Sequence, residues 1–450
     1  MGRRASKFSR EPVTSGIRAL THDGRGIADT EGKTVFVDGA LPGETVEWVR
    51  TRRKRNFDEA RCEQVLVASE NRVEPACPVF GQCGGCVMQH MSNRQQVTAK
   101  NDVFIDNLRK IGQVSPERWL EPLAADPWHY RRRARLGVRY VDAKERVLVG
   151  FRERFKPYIT DMRRCPVLVA SVDALLEPLA ECIAGLSIVR RLPQVEVAVG
   201  DGDKGPVTTL TMRVLDPPSA ADREQLAAFS AAHDCWVTLQ HGGPDALEPL
   251  ARPDGAPPPA LEYRLPEHDL TIGFGPTDFI QVNAAMNALM IDQALELLAP
   301  ESSDRVLDLF CGIGNFSLPI ARRVAHVLGV EVAVGQVERA RDNAARNGID
   351  NATFRVADLD DEAAVRALAK EDWDLVLLDP ARAGAAQFAA QAAAFGARRI
   401  VYVSCHPGTL ARDAGVLATE QGYRLTAAGI MNMFPHTAHV ESVAVFERAA

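Results

Sequence analysis

From Leu270 onward the chain repeats one pattern, a compact apolar run followed by a stretch with helical spacing, and this alternation constrains the fold more than any other feature. The runs are Arg305 to Phe310, His326 to Glu331, Ala352 to Ala357, Asp374 to Asp379 and Arg398 to Ser404, separated by stretches such as Ala333 to Asn347. Strands alternating with helices predict a doubly wound parallel sheet, an α/β Rossmann-like domain. Ligands in such sheets bind beyond the carboxyl ends of the strands. The residues that close each run therefore carry the functional information.

The first run closes through Leu309, Phe310, Cys311, Gly312, Ile313, Gly314 and Asn315 into a helix, and the two glycines allow a ligand to approach the backbone. A pyrophosphate-binding turn would need a third glycine where Ser317 stands, which disfavours a dinucleotide. Glu331 closes the second run, placed to hold two ribose hydroxyls, and Asp358 follows the third, placed to meet an adenine amine. A ribose and an adenine without pyrophosphate describe S-adenosylmethionine, although an acid ending a strand can equally be a helix cap. The fourth run closes as Asp379-Pro380-Ala381-Arg382. Amino-group methyltransferases acting on bases show two prolines and an aromatic after the acid, so an exocyclic amine is disfavoured as acceptor.

The fifth run delivers Val403-Ser404-Cys405-His406-Pro407, which sets a thiol beside the methyl donor. Carbon 5 of uracil attacks a methylsulfonium only after a thiolate has added at carbon 6, and a base must then remove the carbon 5 proton. Glu441, ahead of a final strand Val443 to Phe446, is the expected base, with His436 the lesser candidate. A free cysteine can also be a small buried hydrophobe, and Cys62, Cys182, Cys235 and Cys311 are read that way.

The rest of the chain is organised differently. Its 450 residues predict two to four domains, and a composition 46% hydrophobic and 25% charged excludes disorder. No apolar run reaches the ~18 residues of a membrane span, and the Arg-rich start lacks a signal peptide's apolar stretch, so a soluble cytoplasmic protein is expected. From about residue 11 to 69, short β-like runs alternate with turns at Gly24, Gly26, Gly39 and Gly43, which predicts a small β-barrel. Residues 70–260 read as an α+β layer, with a helix over Ser171 to Ala184, strands at Val195 to Val199, Val207 to Val214 and Cys235 to Leu239, and a turn-rich connector from Ala251 to Pro259. Residues 261–450 complete the division as the Rossmann-like domain.

The net charge of −6 would argue against a nucleic-acid partner if it were evenly spread. Between Trp128 and Arg164, however, twelve Lys or Arg face four acids, a local +8 interleaved with Tyr130, Tyr140, Phe151, Phe155 and Tyr158. Arg50, Arg52, Arg53, Lys54 and Arg55 form a second basic run. Basic groups bind phosphates and flat rings stack on unpaired bases, so the two patches together favour RNA over a merely solvated face.

Of nine cysteines, Cys77, Cys83 and Cys86 form Cys-x5-Cys-x2-Cys, with Cys165 a distant fourth. Four thiolates hold zinc or a [4Fe-4S] cluster, and spacing does not separate the two. It does differ from the Cys-x3-Cys-x2-Cys of radical enzymes, so radical chemistry is not expected.

With Phe279-Ile280-Gln281-Val282-Asn283, Asp308 to Asn315, Asp379 to Arg382, Val403 to Pro407 and Phe434 to Ser442 in view, nearly the whole chain resembles the uracil-C5-methyltransferase family of RNA-modifying enzymes. The resemblance implies Cys405 as nucleophile and Glu441 as base. It implies S-adenosylmethionine contacts from Gln281, Phe310, Asn315, Glu331, Asp358 and Asp379, with Phe279 stacking near the target uracil. It favours a [4Fe-4S] cluster on Cys77, Cys83, Cys86 and Cys165, and an N-terminal OB-like barrel of the TRAM type. The implied substrate is a uridine of 23S ribosomal RNA, by resemblance uracil-1939, flipped out of its stack, and no obligate protein partner is inferred. Relatives acting on transfer RNA usually lack both barrel and cysteine cluster, and those acting on another 23S uridine have the cluster without the barrel. One departure is His406, where family members commonly carry Asn.

Overall fold

The computed structural model describes residues 11–30, 32–243 and 246–449. Near the N-terminus, alternate residues of Thr45–Arg53 point inward, so Val46 and Trp48 join Ile17, Ala28, Val35, Val37, Ala40 and Ala60 in a small core. Six strands wrap this core. Their sheet runs Val13–Gly16, Thr45–Arg53, Phe57–Val67, Lys33–Asp38, Gly26–Thr30 and Ala19–Leu20, so its two edges are halves of one continuous segment and the sheet curls into a barrel. The indole N–H of Trp48 donates to Ser15 Oγ at 2.8 Å, which satisfies its one polar atom inside the core.

The central layer is a six-stranded sheet in the order Leu247–Pro249, Cys235–His241, Val207–Val214, Gln194–Gly200, Arg133–Val141, Arg146–Gly150. The basic segment thus forms the hairpin Arg133–Val141/Arg146–Gly150 at one edge. The single helix expected over Ser171 to Ala184 is two pieces, Ala170–Asp173 and Leu176–Ala184. Pro178 has no N–H to give the carbonyl of Ala174, and the first piece ends there.

The C-terminal sheet has eight strands, in the order Ala352–Val356, His326–Glu331, Arg305–Leu309, Leu375–Leu378, Arg399–Ser404, Glu441–Arg448, Tyr423–Met431, Arg118–Trp119. The first five are parallel, as predicted. Glu441–Arg448 then inserts antiparallel between Arg399–Ser404 and Tyr423–Met431. Strand order reverses at Arg305–Leu309, which fixes the ligand crevice at its carboxyl end. One difference from the predicted division concerns residues 93–123. Helix Asn93–Asn107 packs Phe104 into the core of this sheet, and Arg118–Trp119 pairs with Ala427 and Ala428 at its edge. Among the described residues no helix is long and apolar enough to cross a membrane.

Candidate active site

At the switch point the chain must turn sharply, and Phe310, Gly312 and Gly314 all take left-handed backbone angles, with φ of 63°, 55° and 95°. Asn343 Nδ2 donates to the Ile313 carbonyl at 3.1 Å and holds the turn from behind. Ser317 takes the position of the missing third glycine and donates its hydroxyl to the fully buried Asp308, whose carboxyl burial pushes up to about 7.

The cofactor candidates surround this turn. Gln281, Phe310, Asn315, Glu331, Asp358 and Asp379 line a single cavity of about 1510 Å³ that also reaches Cys405 and Glu441. Asn315 Oδ1 accepts from the Tyr263 hydroxyl at 2.8 Å and from Asn287 Nδ2 at 3.0 Å, which fixes the amide. Glu331 Oε1 accepts from the N–H groups of Val332 and Ala333 at 2.8 and 3.0 Å, and Asp358 Oδ1 from that of Asp360 at 2.9 Å. Each of these acids thus stabilises its own turn while facing the cavity.

The reactive end is built by strand geometry. Ser404 pairs with Ser442 in the antiparallel ladder, so the next residue on one strand, Cys405, and the preceding one on the other, Glu441, meet at its open end, where neighbouring strands lie ~4.8 Å apart. Residues 36 apart in sequence become neighbours by register. Burial pushes Glu441, 5% exposed, up to about 8, reinforced by Asp379 and opposed by Arg382 and Lys100. Burial likewise pushes the half-buried Cys405 thiol up to about 11, with Glu441 and Asp379 adding to it and Arg382 opposing. Burial alone raises Asp379 to about 7.

His436, the lesser candidate base, lies elsewhere. Its ring is 2% exposed, stacks on Trp128 with centroids 4.0 Å apart, places Nδ1 3.2 Å from Gln96 Nε2 and does not line the cavity. Burial pushes it down to about 4, so it is a neutral structural residue and that expectation is corrected. His439 does line the cavity, with Nδ1 3.0 Å from Arg382 Nη2. Phe279, 65% exposed, stands at the cavity wall.

Cys77, Cys83, Cys86 and Cys165 line a further part of the same cavity. The hydrogen bonds of Gly84 N–H to Arg152 O, 2.9 Å, and Arg154 N–H to Gln82 O, 2.8 Å, clip their loop to the segment after the basic hairpin. Burial pushes Cys86 and Cys165 up to about 12 and 11, with Cys165, Cys83 and Cys77 adding to the first shift and Cys77 and Cys83 to the second. Among the described residues no three His, Cys, Asp or Glu side chains are drawn to metal-holding distance. The donor chemistry, three buried sulfurs and the half-buried Cys86, nonetheless suits zinc or iron.

Sequence reasoning missed the residues behind the site. Arg132, 4% exposed, donates Nε to the Gln281 carbonyl at 3.0 Å and lies 4.8 Å from the ring centroid of Tyr263, the residue that holds Asn315. Lys100 and Gln96 hold the segment before Glu441. The run of arginines at 131–133 was the only signal, and it does not say that its middle member is buried.

A parallel sheet with this switch point, acids at successive strand ends and no pyrophosphate turn defines the class of S-adenosylmethionine-dependent methyltransferases. Family models agree, with tRNA (Uracil-5-)-methyltransferase matching residues 263–449 and the TRAM domain residues 14–48. Over the full length of both chains, the sequence is 51% identical to the 23S rRNA (uracil(1939)-C(5))-methyltransferase RlmD of Alkalilimnicola ehrlichii and 48% identical to that of Xanthomonas campestris pv. campestris. The chain belongs to the 23S rRNA (uracil-C5)-methyltransferase family. In fold it matches the Pyrococcus abyssi tRNA (uracil-54, C5)-methyltransferase in complex with S-adenosyl-L-homocysteine, with a TM-score of 0.73 and 23% identity over 96% of this chain and 100% of that one.

Proposed function

We propose that this protein transfers a methyl group from S-adenosylmethionine to carbon 5 of a uridine in 23S ribosomal RNA, uracil-1939 in the numbering its relatives carry. The observation that carries the reading is the register that sets Cys405 against Glu441 at the mouth of the methyl-donor crevice. S-adenosylmethionine supplies an electrophilic methyl group, with Gln281, Phe310, Asn315, Glu331, Asp358 and Asp379 holding it. The Cys405 thiolate adds at carbon 6, carbon 5 takes the methyl group, and S-adenosylhomocysteine departs. Glu441 then removes the carbon 5 proton and the Cys405–carbon 6 bond breaks, restoring the uracil and the thiolate. A base whose acidity lies near 8 is suited to that proton at neutral pH. The base must leave its stack to reach Cys405, and Phe279 offers a face to it.

The barrel over 11–69 and the layer over 70–260, apart from residues 93–123 that pack on the C-terminal sheet, would grip the RNA, leaving 261–450 to perform the transfer. We infer that Cys77, Cys83, Cys86 and Cys165 hold a [4Fe-4S] cluster that shapes the RNA-binding surface without redox work. The four thiols on one cavity wall and the clip to the segment after the basic hairpin support a shared ligand there, and the family resemblance favours iron and sulfide over zinc.

The test is covalent trapping on 23S fragments containing 5-fluorouridine, whose fluorine cannot leave as a proton. A denaturing gel should show a shifted band for wild type and none for Cys405→Ala. On ordinary RNA, Glu441→Gln should accumulate the adduct, and wild-type turnover by that variant would refute its role. Trapping on transfer RNA alone would keep the chemistry and overturn the substrate. Iron and sulfide assays of the same anaerobic preparation decide the cluster, and a zinc-only protein would replace it.

A further inference from the structure

Helix Asn93–Asn107 turns an unusual stripe inward, for its buried residues are Gln96, Lys100 and Phe104. The first two sit one turn apart and face the same segment of chain. Gln96 Oε1 accepts from the N–H of His436 at 2.8 Å. Lys100, 1% exposed, donates its Nζ to Asn432 Oδ1 at 2.7 Å and to the Phe434 carbonyl at 2.8 Å. Asn432 and Phe434 belong to the segment that joins strand Tyr423–Met431 to Glu441.

Two neutral oxygens do not offset the desolvation of an ammonium group, and an uncharged amide would make a similar tether without that cost. The anion able to offset it is Glu441, whose charge favours the protonated form of Lys100. Four other charged or titratable groups stand near the base, and two of them shift it. Asp379 opposes its ionisation, and Arg382, from the same loop, favours it. Cys405 stands opposite at the end of its strand. His439 lies against Arg382. Arg382 is exposed, so solvent screens its charge, whereas the buried Lys100 acts unscreened.

We propose that Lys100 is a positioning residue for methyl transfer, which anchors the 432–434 segment and supplies the buried positive charge that lets Glu441 ionise and act as base. The proposal rests on Glu441 being that base. Burial pulls Lys100 down and pushes Glu441 up, while the charge of each favours the charged form of the other, so the two titrate as a coupled pair.

The test is the pH dependence of product release from the Cys405 adduct, measured by single turnover on a 23S fragment. Lys100→Gln retains a hydrogen-bond donor and loses the charge. Its midpoint should move up by about one pH unit, with release about tenfold slower near pH 7, recovery toward the wild-type rate at high pH, and an S-adenosylmethionine KM within about twofold of wild type. Lys100→Arg keeps the charge and should keep the midpoint. Gln96→Ala, which loosens the same segment without removing charge, should slow release without moving the midpoint. A Lys100→Gln midpoint at the wild-type value, or an equal displacement in Gln96→Ala, would overturn the proposal. Should Lys100→Gln fail to fold, titration of the 15N-labelled Lys100 side chain in the wild-type protein decides, because an amine that stays neutral from pH 5 to 9 supplies no charge. Failure of wild type to trap 5-fluorouridine RNA would instead sink the Cys405–Glu441 reading itself.

Discussion

His406 shows how a departure in sequence can preserve a physical role. It is the N-cap of helix Pro407–Thr419, and its ring Nδ1 accepts from the Thr409 N–H at 3.2 Å. The Asn that the family resemblance leads one to expect there is a cap residue by the same logic, so His406 exchanges one acceptor for another beside Cys405. His406→Asn should therefore melt at the wild-type temperature and turn over within about twofold of its rate. His406→Ala should lose about 1 kcal/mol, the worth of a helix cap, and form the Cys405 adduct more slowly. Thermal denaturation paired with adduct kinetics checks both. The strand-end residues Glu331, Asp358, Asp379 and Cys405 were legible in sequence because each closes a compact apolar run. Arg132 was not, because charge alone does not reveal that an arginine is buried and aimed at Gln281 O.

The elements divide in the same way. Strands that fill a sheet from both faces read clearly, and His326–Glu331 and Val207–Val214 match their predicted bounds. Helix Asn93–Asn107 was illegible because its inward stripe is polar, Gln96 and Lys100, and helical spacing is recognised through apolar residues. Arg118–Trp119 is two residues long, too short for any alternation to show. Its place depends on close approach, since a side chain on Gly429 would lie 2.7 Å from Leu120 Cβ, and the Leu120 N–H donates to Ala428 O at 2.8 Å. Gly429→Val should therefore peel residues 117–123 from the sheet at a cost of about 1–3 kcal/mol. Limited proteolysis should then cut this segment while S-adenosylmethionine affinity persists, because the donor site lies across the sheet. Resistance to protease equal to wild type would show that the edge strand tolerates the side chain.

At the scale of the whole molecule, the sequence located positive charge but not which of it is free. Carboxylates from outside the basic segment neutralise much of its +8, with Arg133 and Arg135 on Glu196, Arg154 on Asp38 of the barrel, Arg163 on Glu177 and Arg164 on Asp173. Such pairs join residues far apart in sequence, so a count along the chain cannot see them. In the central segment Arg131, which lines the cavity, and the exposed Arg139 and Arg152 have no carboxylate partner among the described residues, against four on the barrel, Arg52, Arg53, Lys54 and Arg55. The barrel run, not the longer central one, is thus the larger block of unpaired positive charge available to phosphates. Each phosphate contact steepens the fall of log affinity with log salt by about 0.7 for single-stranded and about 0.9 for duplex nucleic acid. The double variant Arg52→Gln/Arg53→Gln should flatten that slope by about 1.5 in titrations of a 23S fragment and leave S-adenosylmethionine binding untouched. A slope equal to wild type would place the RNA away from the barrel run and return the electrostatic role to Arg131 and the cavity wall.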